Sequence, residues 1–305
     1  MWLILAFTSA ALLGCYDSLK KQALKGNAVI PVLFLNTLFS SLLFLPFIVL
    51  SSGSEMLDGT IFHVSQGGWD VHRYVVLKSL IVLSSWVLGY FGMKHLPLTI
   101  VGPINATRPV MVLVGALLVF GERLNVWQWT GVALAVASFF MLSRSGKKEG
   151  IDFRHDHWIY MVVGAAALGA VSGLYDKYLM APVGEGGVGL DRMLVQSWYN
   201  IYQCGMMLLM VVLLWWPKHR ETTPFHWSWS IVGVSLFLST ADFMYFYSLS
   251  LPDAMISIVS MVRRGSVVVS FLFGAWFFHE RNLKAKAFDL ALVLLGMLFL
   301  YIGSN

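Results

Sequence analysis

The chain has 305 residues, 58% of them hydrophobic and 12% charged, with a formal net charge of +5. Soluble domains carry about 25% charged residues, so this balance, with a mean hydropathy of +0.72, belongs to a membrane protein. It excludes a soluble catalytic domain and gives no argument for nucleic acid, because the lysines fall in short links beside apolar windows, where they set orientation.

Windows long enough to cross a bilayer lie at about 2–19, 29–51, 74–93, 97–120, 125–143, 157–176, 193–216, 229–250, 254–278 and 287–303. The first lacks a basic leader and a cleavage site and reads as a retained helix. Cys15 and Cys204 fall in separate windows and offer neither a disulfide framework nor a metal-ligand spacing.

The chain repeats itself. Leu96–Arg123 aligns with Leu251–Arg281, pairing Pro97 with Pro252 and Arg108 with Arg263 without a gap, and Glu122 with Glu280 after a gap of three residues. The first and sixth windows end in a shared Gly-x-Tyr-Asp pattern, Gly14 to Asp17 and Gly173 to Asp176. Five spans per half is an odd number, so the second half enters the membrane from the opposite side, an inverted repeat. The expected fold is an all-α polytopic membrane protein, ten transmembrane helices in two inverted five-helix repeats. The repeats are 1–146 and 157–305, joined by the polar link 147–156.

Sorting charges by alternating sides puts thirteen lysines and arginines on one side and five on the other. Arg108, Arg263 and Arg264 are intramembrane, which accounts for all 21. The positive-inside rule then turns both termini outward. The small residues Gly164, Gly169 and Gly173 suit close helix packing. Trp198, Tyr199, Asn200, Tyr202 and Gln203 read as an interfacial belt with solvated amides. Glu122 and Glu280 precede the last span of each half, where a carboxylate favours the positive end of the next helix.

Gly14, Lys20, Leu96-Pro97, Pro109 and Gly121-Glu122-Arg123-Leu124, with Gln128 and Gly131 beyond, resemble the EamA-type repeat of the drug/metabolite transporter superfamily. The second half departs from the pattern, with Asp289 where the first has glycine. The resemblance implies a central cavity lined by spans one, three, four, six, eight and nine, with the last span of each half peripheral. It also implies cytoplasmic termini, against the charge count.

A charge at membrane depth costs at least ~2.5–3.5 kcal/mol, so the three arginines need partners. Asp242 is the obvious internal one, with Asp17 and Asp176 near span ends and within reach of Lys20, Lys177 or water. If those acids are occupied, positive charge is left over. Arginine's fork suits carboxylate or phosphate, so Arg108, Arg263 and Arg264 are candidates to meet an anionic or zwitterionic substrate. Asn105 and Asp242 would be costly unpaired in lipid. Tyr16, Tyr90, Tyr175, Tyr245 and Trp86 are candidate aromatic walls of the same site.

The expected function is secondary transport of a small organic metabolite, amino-acid-like or an organic anion, by alternating access around a midplane cavity in a bacterial inner (plasma) membrane. No cofactor or metal is called for. The lipid bilayer and a small-molecule substrate are the expected partners, and a coupling proton or ion and a homodimer are compatible with them. A membrane receptor or scaffold would need an output domain, and an integral-membrane enzyme a nucleophile or metal cluster at depth. The eight histidines lie in links or at span ends.

Overall fold

The computed structural model of the chain describes residues 2–108, 110–111, 125–147, 155–251, 259, 262–278 and 283–304. Among them there are ten α-helices, each at one of the ten windows. They are α1 (Trp2–Leu24), α2 (Val29–Gly53), α3 (Trp69–His95), α4 (Leu98–Ala106), α5 (Val126–Lys147), α6 (His157–Met180), α7 (Arg192–Met210), α8 (Trp229–Ser250), α9 (Ser266–Trp276) and α10 (Leu283–Ser304). A chain in hydrocarbon must satisfy its backbone internally, and a helix does so within one segment. Seven of these helices, α7 taken with its continuation to Lys218, are long and apolar enough to cross a membrane. The sequence positions Pro109, Gly121, Glu122, Arg123, Leu124, Pro252, His279, Glu280 and Arg281 lie outside the described residues.

Helix ends differ from the hydropathy windows where charge begins. The first helix runs on through Lys20 and Lys21 to Leu24, and α5 continues through Arg144 to Lys147. Lysine and arginine are good helix formers, so polarity alone does not stop a helix. Backbone chemistry does. Gly26 turns the chain after α1 with φ +65°, a conformation that costs glycine little. Asp191 caps α7 by accepting from Leu194 N at 2.9 Å. Beyond Met210 the helix widens into a π turn at 211–215, then tightens at Trp216–Lys218 around Pro217, which has no N–H to continue the ladder.

The helices pair in a pattern that survives exchanging each of the first five with the helix five places later. The fold packs α2 on α7, α4 on α9 and α5 on α10; α1 on α8 is matched by α6 on α3, and α1 on α9 by α6 on α4. A pair of hydrogen bonds repeats the relation at atomic scale. Ser9 donates to Ala241 O at 2.6 Å across α1–α8, and Ser85 donates to Ala165 O at 2.7 Å across α3–α6. Residues 9 and 165 are 156 positions apart, and so are 85 and 241.

Large apolar side chains such as Leu42, Leu80, Leu213, Leu236, Leu272 and Leu298 face outward, as a lipid-exposed surface requires. Serines and amides face inward: Ser41 donates to Asn200 O at 2.8 Å and Gln196 to Ser239 O at 3.2 Å. This corrects the interfacial reading of α7. Tyr199, Asn200 and Gln203 are buried, because α2, α3 and α8 cover that face. Trp198 and Tyr202 pack instead around His72, with Tyr202 Oη 2.9 Å from His72 Nδ1.

Two links are strapped to the bundle. In the α2–α3 link, Phe62 is stacked between Phe47 and Phe243 at 5.3 and 5.4 Å, and Arg192 donates to Ile61 O at 3.0 Å. In the α7–α8 link, His226 and the side chain of Asn27 exchange two hydrogen bonds of 2.7 and 2.9 Å.

Candidate functional site

A cavity of about 160 Å³ lies among α1, α3, α4, α6, α7, α8 and the segment 262–267. Nine of the ten residues singled out in the sequence line it: Arg108, Arg263, Arg264, Asn105, Asp242, Tyr245, Tyr16, Trp86 and Tyr90. Tyr175 does not. Its hydroxyl donates to Tyr74 O at 3.3 Å and its ring packs on Tyr178. The next residue, Asp176, faces the cavity, and a helix turns about 100° per residue, which carries Tyr175 round to another face of α6.

Three acids of the wall are each matched with a cation. Asp17 holds Lys20 at 2.9 Å, Asp176 holds Lys78, and Asp242 holds Arg263. The sequence anticipated the first and the third. For Asp176 it offered Lys177 or water, and the partner is Lys78 from α3. Lys20, Lys78 and Lys286, counted in the sequence as link charges, are all buried. The position of Lys78 inside the 74–93 window was the signal available for it.

Each of the three cations also lies over tyrosine. Lys20 Nζ is 4.4 Å from the Tyr16 ring and 5.2 Å from that of Tyr90, Arg263 is 4.2 Å from Tyr245, and Lys78 is 5.5 Å from Tyr199. Ring faces attract cations most strongly where water is excluded. Tyr199, absent from the sequence-derived site, donates its hydroxyl to Asp242 Oδ2 at 2.8 Å, so that acid receives two donors.

Among the described residues neither Arg108 nor Arg264 makes an ion pair. Arg108 donates to Asn105 Oδ1 at 3.1 Å, and its Nε has no partner. Among the described residues Arg264 makes no hydrogen bond or ion pair. The guanidinium of Arg108 lies against α6 at Gly169, where an added Cβ would sit 2.7 Å from Cζ and Nη1. Gly173 has open space at the equivalent point and lines the cavity. These two glycines therefore make room for the site, whereas Gly164, with Leu88 at 3.3 Å, serves the expected helix packing.

The wall draws on residues that align with one another in the sequence. Arg108 and Arg263, Asp17 and Asp176, and Tyr90 and Tyr245 all line it.

Comparison with known proteins bears on the fold and on the first 144 residues. Residues 1–144 match the EamA-like transporter family. No curated protein matches the chain. A solved structure described only as "Crystal structure of protein" is 13% identical, with the match covering 99% of this chain and 96% of that one at a TM-score of 0.65. At that identity the likeness is one of fold alone. The match over residues 1–144 supports an EamA-type member of the drug/metabolite transporter superfamily.

Proposed function

We propose that the protein is a secondary transporter of a small organic solute, moving it by alternating access around the central cavity. The observation that carries this reading is the charged cavity itself, walled by equivalent residues of two halves inside an apolar exterior. Buried charge of this density is costly in a membrane and is typical of solute pathways. A site at the junction of two related halves can be exposed to either side when one half rocks against the other. Residues 1–146 and 157–305 would be those halves.

The volume of about 160 Å³ is below the ~300–1,000 Å³ of sites for drug-sized ligands, which favours a small cargo. Arg264 would meet the cargo, Arg108 would share it, and Asp242 would hold Arg263 in place.

The test is uptake and counterflow in proteoliposomes with a panel of labelled amino acids, organic acids, phosphorylated metabolites and neutral solutes. The expected result is saturable movement of one class, lost in Arg264→Ala while the protein remains folded in the membrane. Failure of every solute to move through well-folded protein would end the transport reading.

A further inference from the structure

Among the described residues, eight charged side chains line the cavity, five cations and three carboxylates. The carboxylates are all committed, Asp17 to Lys20, Asp176 to Lys78 and Asp242 to Arg263. The excess of two is carried by Arg108 and Arg264. Both guanidinium groups line the same cavity. A guanidinium presents five N–H donors. Arg108 directs one nitrogen to Asn105 and leaves Nε unpartnered, and among the described residues Arg264 bonds to nothing.

We infer that the cargo is a small organic dianion, bound through its two negative charges by Arg108 and Arg264. This deepens the transport reading and rests on it. The charge of the cargo follows from the excess of the wall, since a bound dianion would leave the loaded cavity neutral and ready to cross the membrane. The fork geometry of arginine matches carboxylate or phosphate oxygens in pairs, which a single-atom anion cannot exploit. The organic part follows from the rest of the wall, where Trp86 and Tyr90 offer ring surface to a short carbon skeleton. The seat of Arg108 is built for it: Gly169 leaves the space the guanidinium occupies.

The experiment measures thermal unfolding of the purified full-length protein in detergent, at constant ionic strength and pH 8. The probes are succinate and glycerol 1-phosphate, against acetate, chloride and glycerol. A ligand that binds the folded state raises its midpoint in a concentration-dependent way. At least one dianion is expected to do so where acetate, chloride and glycerol do not, and the dianion that succeeds identifies the cargo as a dicarboxylate or a phosphomonoester. Arg264→Met should weaken the apparent affinity about tenfold or more, as expected for loss of a charge-assisted contact. Because Arg264 makes no ion pair among the described residues, this variant leaves none of the cavity's three paired acids orphaned and should unfold no earlier than wild type in the absence of ligand. Asn105→Asp supplies Arg108 with an internal carboxylate and should weaken binding while both arginines remain. Stabilisation by neither dianion, or by a dianion equally in wild type and Arg264→Met, overturns the inference. Binding without movement in proteoliposomes would overturn the transport reading and leave the dianion site standing. Movement of a neutral solute, indifferent to Arg264, would do the reverse.

Discussion

Arg108 of the first half rests its guanidinium on the backbone of α6 at Gly169, a position where any side chain would come within 2.7 Å of it. An arginine just beyond α4 is thus seated by a glycine of α6, so this charge of the cavity wall is positioned by a contact between elements distant in sequence. Gly169→Ala should displace the guanidinium and weaken dianion binding about tenfold. Alanine is the better helix former by ~0.8–1.0 kcal/mol, so weaker binding could not be ascribed to a weaker helix. A binding titration beside an unfolding curve checks this, and undiminished binding in Gly169→Ala would remove the seat from the site.

The pair of Lys78 and Asp176 is buried on both sides. Removing one member leaves a buried charge without its partner, at a cost of about 3–5 kcal/mol. Lys78→Met should therefore lower the unfolding midpoint strongly. Adding Asp176→Asn in the same chain should recover most of the loss, because no charge is then orphaned. Measured as a double-mutant cycle, additive losses would show that the two residues act independently.

The strap across the α2–α3 link supports a prediction about motion. Phe62 sits between two aromatic rings, each contact worth about 0.5–1.5 kcal/mol beyond its buried area, and Arg192 holds the adjacent carbonyl. Phe62→Ala should raise amide hydrogen exchange over residues 54–68 severalfold while leaving α2 and α3 protected. Exchange unchanged in that link would mean the stack does not hold it closed.

The ten helices and the arginines of the cavity wall were legible because membrane depth is written in hydropathy and a charge inside an apolar window stands out. Direction around each helix was not. A span that is apolar on every side has no polar stripe to mark its inner face. Tyr199 lies on a helix that does carry a polar stripe, but near the start of its span it read as an interfacial aromatic, although it donates to Asp242 in the cavity wall. Tyr175 read as a wall residue because it falls on a span expected to line the cavity, although it packs on Tyr178. Gly169 looked like a packing glycine because sequence does not show which side chain fills the space it leaves. Lys78 was hidden by being close to a window edge, where a lysine commonly reaches water.

Tyr199 and Asp242 give a prediction that separates orientation from charge. The hydroxyl is 2.8 Å from Asp242 Oδ2, while the other oxygen of that acid meets Arg263. Tyr199→Phe removes one donor and keeps the ion pair. The expected loss is about 1.5–3 kcal/mol of stability, the range for hydrogen bonds to charged groups, with dianion affinity changed little because Arg108 and Arg264 are untouched. A large fall in affinity with stability intact would instead place Tyr199 in contact with the cargo.

The two serine bonds make the relation between halves measurable. Ser9 to Ala241 and Ser85 to Ala165 join different helix pairs, yet each is the image of the other 156 positions along the chain. Interhelical hydrogen bonds in membranes average about 0.6 kcal/mol. Ser9→Ala and Ser85→Ala should each cost an amount of that order, the same within error, and the double variant should cost their sum because the sites share no partner. If rocking of one half against the other passes through both contacts, the two single variants should also change transport rate in opposite senses, one loosening the state open to one side and the other its mirror. Equal effects of the same sign on rate, measured by counterflow in each orientation, would count against that exchange even where the stability terms agree.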